Sequence, residues 1–160
     1  MWLLIDDNLW LDSVWVGQAT SLFKKFRIGL KVKKVKLKDG KSYLSEININ
    51  NSDEKRVIVT TGKINYNKKG AVLYKYEGIS ESIGGNTAVV TTKSLNRRAL
   101  LVTLHEALHL KGIKHCQTNG CLMSFKLCSG ELKYCLACEK PCKKIVVCGD
   151  CYGQSRENSC

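Results

Sequence analysis

A chain of 160 residues closes comfortably around one hydrophobic core, which disfavours a two-domain reading. An apolar fraction of 44% with 25% charged residues excludes wholesale disorder and fibrous structure. Lys and Arg total 26 against 14 for Asp and Glu, and the resulting +12 attracts phosphates, acidic peptides or anionic surfaces without choosing among them. In chain order, Trp2 to Ile5 is an apolar run short enough for a buried strand at 2–5, followed by Asp6, Asp7 and Asn8 as turn chemistry. Residues 9–26 place Leu9, Leu11, Val14, Trp15, Ala19, Leu22, Phe23 and Phe26 at spacings of three and four, an amphipathic helix that Gly29 is expected to close. The lysine-rich stretch from Lys31 reads as a strand running into an Asp39-Gly40 turn, its lysines guarding a sheet edge.

Residues 42–55 are polar and carry no clear periodicity. Val57 to Thr61, Ala71 to Tyr76 and Thr87 to Thr92 are β-rich runs separated by Gly62, Gly70 and the Gly84-Gly85-Asn86 cluster, which brings the expected sheet to five strands. Ser94 or Asn96 can then cap a helix on which Leu100, Leu101, Leu104 and Leu108 recur at three and four, ending at Gly112. No repeat or proline-rich linker interrupts the chain. No apolar run approaches ~20 residues and MWLLIDDN lacks a basic leader, so a cytoplasmic protein without a membrane segment is expected. All nine cysteines fall between Cys116 and Cys160, and in a reducing compartment such crowding favours metal binding over disulfides.

The second helix carries His105, Glu106 and His109. A separation of four residues is slightly more than one turn, so both imidazoles leave the same face and can converge on one zinc ion. The run HEALHLKGIKHC adds Gly112, where the backbone can turn sharply, and His115, which can return to the same ion. Three nitrogens and one open position suit a catalytic zinc rather than a structural one. Water held at the open position would give its proton to Glu106 as general base and attack a peptide carbonyl. A bare HExxH is weak evidence, since it arises by accident in unrelated helices. Here all three histidines of the chain stand at ligand spacing.

HExxHxxGxxH with a methionine eight residues later, Met123, is the metzincin pattern, in which that methionine forms an apolar turn beneath the metal. The extension through Cys116, QTNG, Cys121, Leu122 and Met123 resembles the archaemetzincin family. The resemblance covers roughly residues 56–138, reaching upstream over VIVTTGKINYNKKGAVLYKYEG and NTAVVTTKSL. It implies an α+β, metzincin-like fold: a mixed five-stranded sheet, an early helix, an active-site helix at about 96–110, and a zinc-stapled cysteine-rich C-terminal subdomain. The whole of 1–160 would form one domain, with 1–115 as upper and 116–160 as lower subdomain. By the same resemblance Cys116, Cys121, Cys135 and Cys138 hold a structural zinc. Ala71 to Tyr76 would be the edge strand along the cleft, with Tyr74, Lys75 and Tyr76 near a bound peptide.

The spacer from Met123 to Cys135 is about six residues shorter than the family's usual one, and Cys128 lies outside the motif. For the tail, Cys142, Cys148, Cys151 and Cys160 could form a third zinc site, or Cys135 and Cys138 could join Cys148 and Cys151 in a ribbon. The expected protein is therefore a monomeric, cytoplasmic zinc metallopeptidase with two zinc ions, or three with the tail site, acting on peptides or small proteins. Two rivals are a basic zinc-ribbon-like module that binds nucleic acid, suggested by +12 but leaving the histidines unexplained, and a metzincin fold with negligible turnover.

Overall fold

The apolar runs at the start of the chain, after residue 55 and after Asn86 become adjacent strands of one sheet. The structure is a computed structural model that describes residues 1–37, 41–42, 54–64, 67–68, 71–72, 78–117 and 121–123. In order along the chain come β1 (Trp2–Asp6), α1 (Ser13–Lys25), β2 (Lys31–Val35), β3 (Lys41–Ser42), β4 (Arg56–Thr60), β5 (Lys63–Ile64), β6 (Asn67–Lys68), β7 (Ala71–Val72), β8 (Gly78–Ser80), β9 (Thr87–Thr91) and α2 (Arg97–Leu110). The main sheet has five strands in the order β2-β1-β4-β9-β8. β1 runs parallel to β2 and β4, and β4 parallel to β9, whereas β8 is antiparallel to β9. The sheet is therefore mixed, and together with the two helices it forms an α+β fold.

Strand side chains alternate between faces, and the alternation here sorts two apolar sets. Leu3, Ile5, Val57, Val59, Ala88 and Val90 pack with Trp15, Leu22 and Phe23 of α1 and Leu101, Leu104 and Leu108 of α2, so both helices cover one face. Leu4, Ile58 and Val89 lie on the other face with Trp2, Val35, Leu37 and Ile79. At the C-terminal ends of β1 and β4 the buried Asp6 carboxylate accepts from Asn8 N, Asn8 Nδ2 and Thr60 Oγ1 at 2.7–3.0 Å. Burial pushes the Asp6 carboxyl up, but the hydrogen bonds from Asn8, Thr60 and Thr61 outweigh it and hold it below the ordinary range. β2 lies at the sheet edge with Lys31, Lys33 and Lys34 exposed.

Three expectations change. α1 begins at Ser13, because Asp12 takes the N-cap position and its carboxylate accepts from Trp15 N at 2.6 Å; Leu9 is buried ahead of the helix rather than within it. α1 also ends before Gly29. Arg27 takes the left-handed position at φ 55°, with Arg27 N donating to Lys24 O and Ile28 N to Phe23 O, the two bonds that close a Schellman turn. Finally, the strand beside β9 that completes the five-stranded sheet is β8, a segment the sequence did not single out. Ala71 and Val72 pair with Asn67 and Lys68 in a separate two-stranded ladder, and Tyr74, Lys75 and Tyr76 lie outside the described residues. Among the described residues no helix is long and apolar enough to cross a membrane.

Candidate metal centre

α2 starts where the sequence places it. Asn96 caps it, its side chain accepting from Ala99 N at 2.9 Å, and Trp15 Nε1 of α1 donates to Asn96 O at 3.2 Å, so one helix fixes where the other begins. From Ala99 to Leu110 every residue is buried, His105, Glu106 and His109 among them. The C-terminus of α2 is a second Schellman turn: Gly112 N donates to His109 O at 2.9 Å and Ile113 N to Leu108 O at 3.0 Å. Gly112 sits at φ 89°, a conformation that costs an L side chain about 1–2 kcal/mol, and this turn brings His115 back towards the helix. Lys55 secures the same end from outside, its Nζ donating to Leu110 O, Gly84 O and Gly85 O at 2.5, 2.9 and 3.1 Å.

The three histidines converge. Nε2 of His109 lies 3.0 Å from Nε2 of both His105 and His115, and the remaining pair is 3.3 Å apart. His105 Nδ1 donates to Leu122 O and His109 Nδ1 to Ile113 O, each at 2.7 Å. A carbonyl can only accept, so both rings carry their proton on Nδ1 and present bare lone pairs at Nε2. Burial also pushes the imidazoles down, His105 to about 3 and His109 to about 4, with His115 lowered as well, so protons do not fill the space between them near neutrality. Lone pairs aimed at one another at this distance repel unless a cation lies between them. Zinc–nitrogen bonds of 2.0–2.1 Å in a tetrahedron separate the nitrogens by about 3.3 Å, so the donor set fits such an ion. His105, His109 and His115 form a potential metal-ligand group, their ligand atoms all within 4.8 Å of one another.

Glu106 is 2% exposed, and its buried Oε2 has no hydrogen-bond partner among the described residues. Burial raises its carboxyl to about 8, against a smaller lowering by a hydrogen bond from the Ser80 hydroxyl. β8 crosses directly over it: a Cβ added at Gly78 would meet Glu106 Oε1 at 2.7 Å and Val102 Cγ1 at 2.8 Å. Met123 is fully buried in the same core cluster as Leu104 and Leu108. Cys121 is buried too, and Cys116 is partly buried with its amide donating to Met123 O at 2.9 Å. Cys128, Cys135, Cys138, Cys142, Cys148, Cys151 and Cys160 lie outside the described residues.

The sequence reading missed Gly78, Ser80, Leu122 and Ile113. The last two act through carbonyls, which no residue type announces. Gly78 and Ser80 left one faint signal, a Gly-x-Ser run just ahead of the Gly84-Gly85 turn that leads into β9.

No family model matches the sequence, and no curated protein matches it. Solved structures do. The crystal structure of an archaemetzincin from Methanopyrus kandleri superposes with a TM-score of 0.68 at 18% identity, over 99% of this chain and 94% of that one. The chain has an archaemetzincin-like fold. An archaemetzincin from Archaeoglobus fulgidus, crystallised with malonate, gives a TM-score of 0.62 at 23% identity over 96% of this chain and 99% of that one. A zinc-dependent peptidase from Methanocorpusculum labreanum gives 0.59 at 16% identity over 97% and 100%. The likeness therefore spans essentially the whole length of each chain.

Proposed function

We infer that the protein is a zinc-dependent peptidase in which His105, His109 and His115 hold the metal and Glu106 is the general base. The observation that carries this reading is the convergence of three Nε2 atoms to 3.0–3.3 Å, two of them with Nδ1 tied to carbonyls. The archaemetzincin-like fold supports it. Zinc at these nitrogens supplies a Lewis acid that acidifies water and polarises a carbonyl. Glu106 then does the proton work. Its Oε2, buried and without a partner among the described residues, can take a proton from water, while the hydrogen bond from Ser80 steadies the carboxylate. Burial favours the neutral acid and a nearby cation favours the anion, so the group can both accept a proton and pass it to a departing amine. Met123, buried in the same core cluster as Leu104 and Leu108, would serve as the apolar support beneath the ligand cluster.

The edge strand beside the site is β8, and an extended peptide pairing along it would bring its carbonyl past Glu106. In this reading Cys116 and Cys121 belong to a second, structural zinc site completed by Cys135 and Cys138, and Cys142, Cys148, Cys151 and Cys160 are candidates for a third. The molecule acts as one 160-residue domain, a cytoplasmic monomer with peptide or small-protein substrates. Glu106→Gln tests the assignment: peptide turnover should fall by roughly 10²-fold or more while the metal stays bound. Unchanged turnover would remove Glu106 as the base.

A further inference from the structure

One peptide group links the thiol of Cys121 to the imidazole of His105. The amide between Leu122 and Met123 sends its N–H to Cys121 Sγ at 3.4 Å and its carbonyl to His105 Nδ1 at 2.7 Å. A trans peptide is a rigid plane with N–H and C=O pointing to opposite sides, so orienting one orients the other. Cys121, Leu122, Met123 and His105 are all buried, where an amide N–H without a partner is costly and hydrogen bonds in a chain strengthen one another. The segment is pinned once more by Cys116 N donating to Met123 O at 2.9 Å, and Cys116 directly follows His115.

Resting on the metal-centre reading above, we propose that Cys121 is a positioning residue for the three-histidine site: its sulfur, by accepting the Met123 amide, fixes the Leu122 carbonyl that sets the ring direction and tautomer of His105. Without that acceptor the peptide plane turns to find another partner for its N–H, and the carbonyl leaves His105. The ring can then rotate, or move its proton to Nε2, and a ligand is lost. This role is separate from sulfur acting as a zinc ligand, since it needs only a hydrogen-bond acceptor at that place.

The distinction can be measured on the full chain with cobalt(II) as probe. Its affinity for the histidine site is read by chelator competition, with cobalt on sulfur separated by its thiolate charge-transfer absorption. Serine keeps an acceptor but is a poor zinc ligand, and alanine keeps neither. Cys121→Ala should weaken cobalt binding by roughly 10–100-fold, the usual cost of losing a partner behind a metal-bound histidine, whereas Cys121→Ser, which loses sulfur ligation equally but keeps the acceptor, should bind cobalt at the histidines about tenfold more tightly than Cys121→Ala. Equal weakening in both variants, or none in Cys121→Ala, overturns the proposal. Should the alanine variant not fold, nitrogen NMR of His105 in wild type and Cys121→Ser decides: the Nδ1–H tautomer held in both is the expected result, and its loss in the serine protein overturns the idea. A wild-type chain whose histidines take no cobalt would instead sink the metal-centre reading itself.

Discussion

Glu106 is buried against β8 at Gly78, the one position of that strand without a side chain. A methyl group at Gly78 would meet its Oε1 at 2.7 Å, and the neighbours that would have to yield are Glu106 itself and Val102. Gly78→Ala should therefore displace the carboxylate and lower kcat by roughly 10–100-fold, since a misplacement of about 1 Å in a reacting group costs that much. Bound zinc per chain, measured by elemental analysis, should not change, because the three imidazoles are held from other elements. Unaltered kcat in that variant would mean that the position of Glu106 does not limit turnover. The histidines could be read from the sequence because ligand spacing on a helix is a property of residue numbers. Gly78, Ser80 and the carbonyls of Leu122 and Ile113 could not, because their roles come from where the chain passes.

At the scale of elements, the C-terminal end of α2 decides whether the third ligand arrives. Gly112→Ala places a side chain at φ 89° and should destabilise the fold by about 1–2 kcal/mol, and it should also weaken metal binding because the turn that returns His115 is strained. Chelator competition together with a thermal melt separates the two effects, and intact affinity would show that His115 reaches the site by another path. Lys55→Met should lower the melting temperature, since it leaves the carbonyls of Leu110, Gly84 and Gly85 without their cation. Four of the five sheet strands and both helices were legible because each carries a sustained apolar pattern. β8 was not: it is three residues long, has one apolar side chain, Ile79, and begins with a glycine that reads as a breaker. The start of α1 was misplaced because Leu9 and Leu11 keep helical spacing although Asp12 caps the helix after them; its end near Phe26 was legible, but the closing turn falls to Arg27, which does what Gly29 was expected to do.

For the whole molecule, the site makes stability depend on pH in two opposing ways when no metal is bound. His105 and His109 titrate in the fold at about 3 and about 4, below their ordinary 6.5, so the unfolded chain binds more protons as pH falls through this window and stability is lost on acidification. Glu106 titrates at about 8, above its ordinary 4.5, so the fold holds the extra proton and its contribution is lost as pH rises towards 8. A metal-free melt should thus show the site's contribution greatest near pH 6.5, and Glu106→Gln should abolish the alkaline limb alone; an alkaline limb that persists in that variant would assign it to other groups. Acidification should also release metal, because bare imidazole nitrogens are the ligands. The most direct measurement is anomalous diffraction at the zinc edge from crystals of the zinc-loaded protein. A peak at about 2.0–2.1 Å from Nε2 of His105, His109 and His115 together is the predicted result. Zinc found only on sulfur, with the three rings turned away from one another, would contradict it.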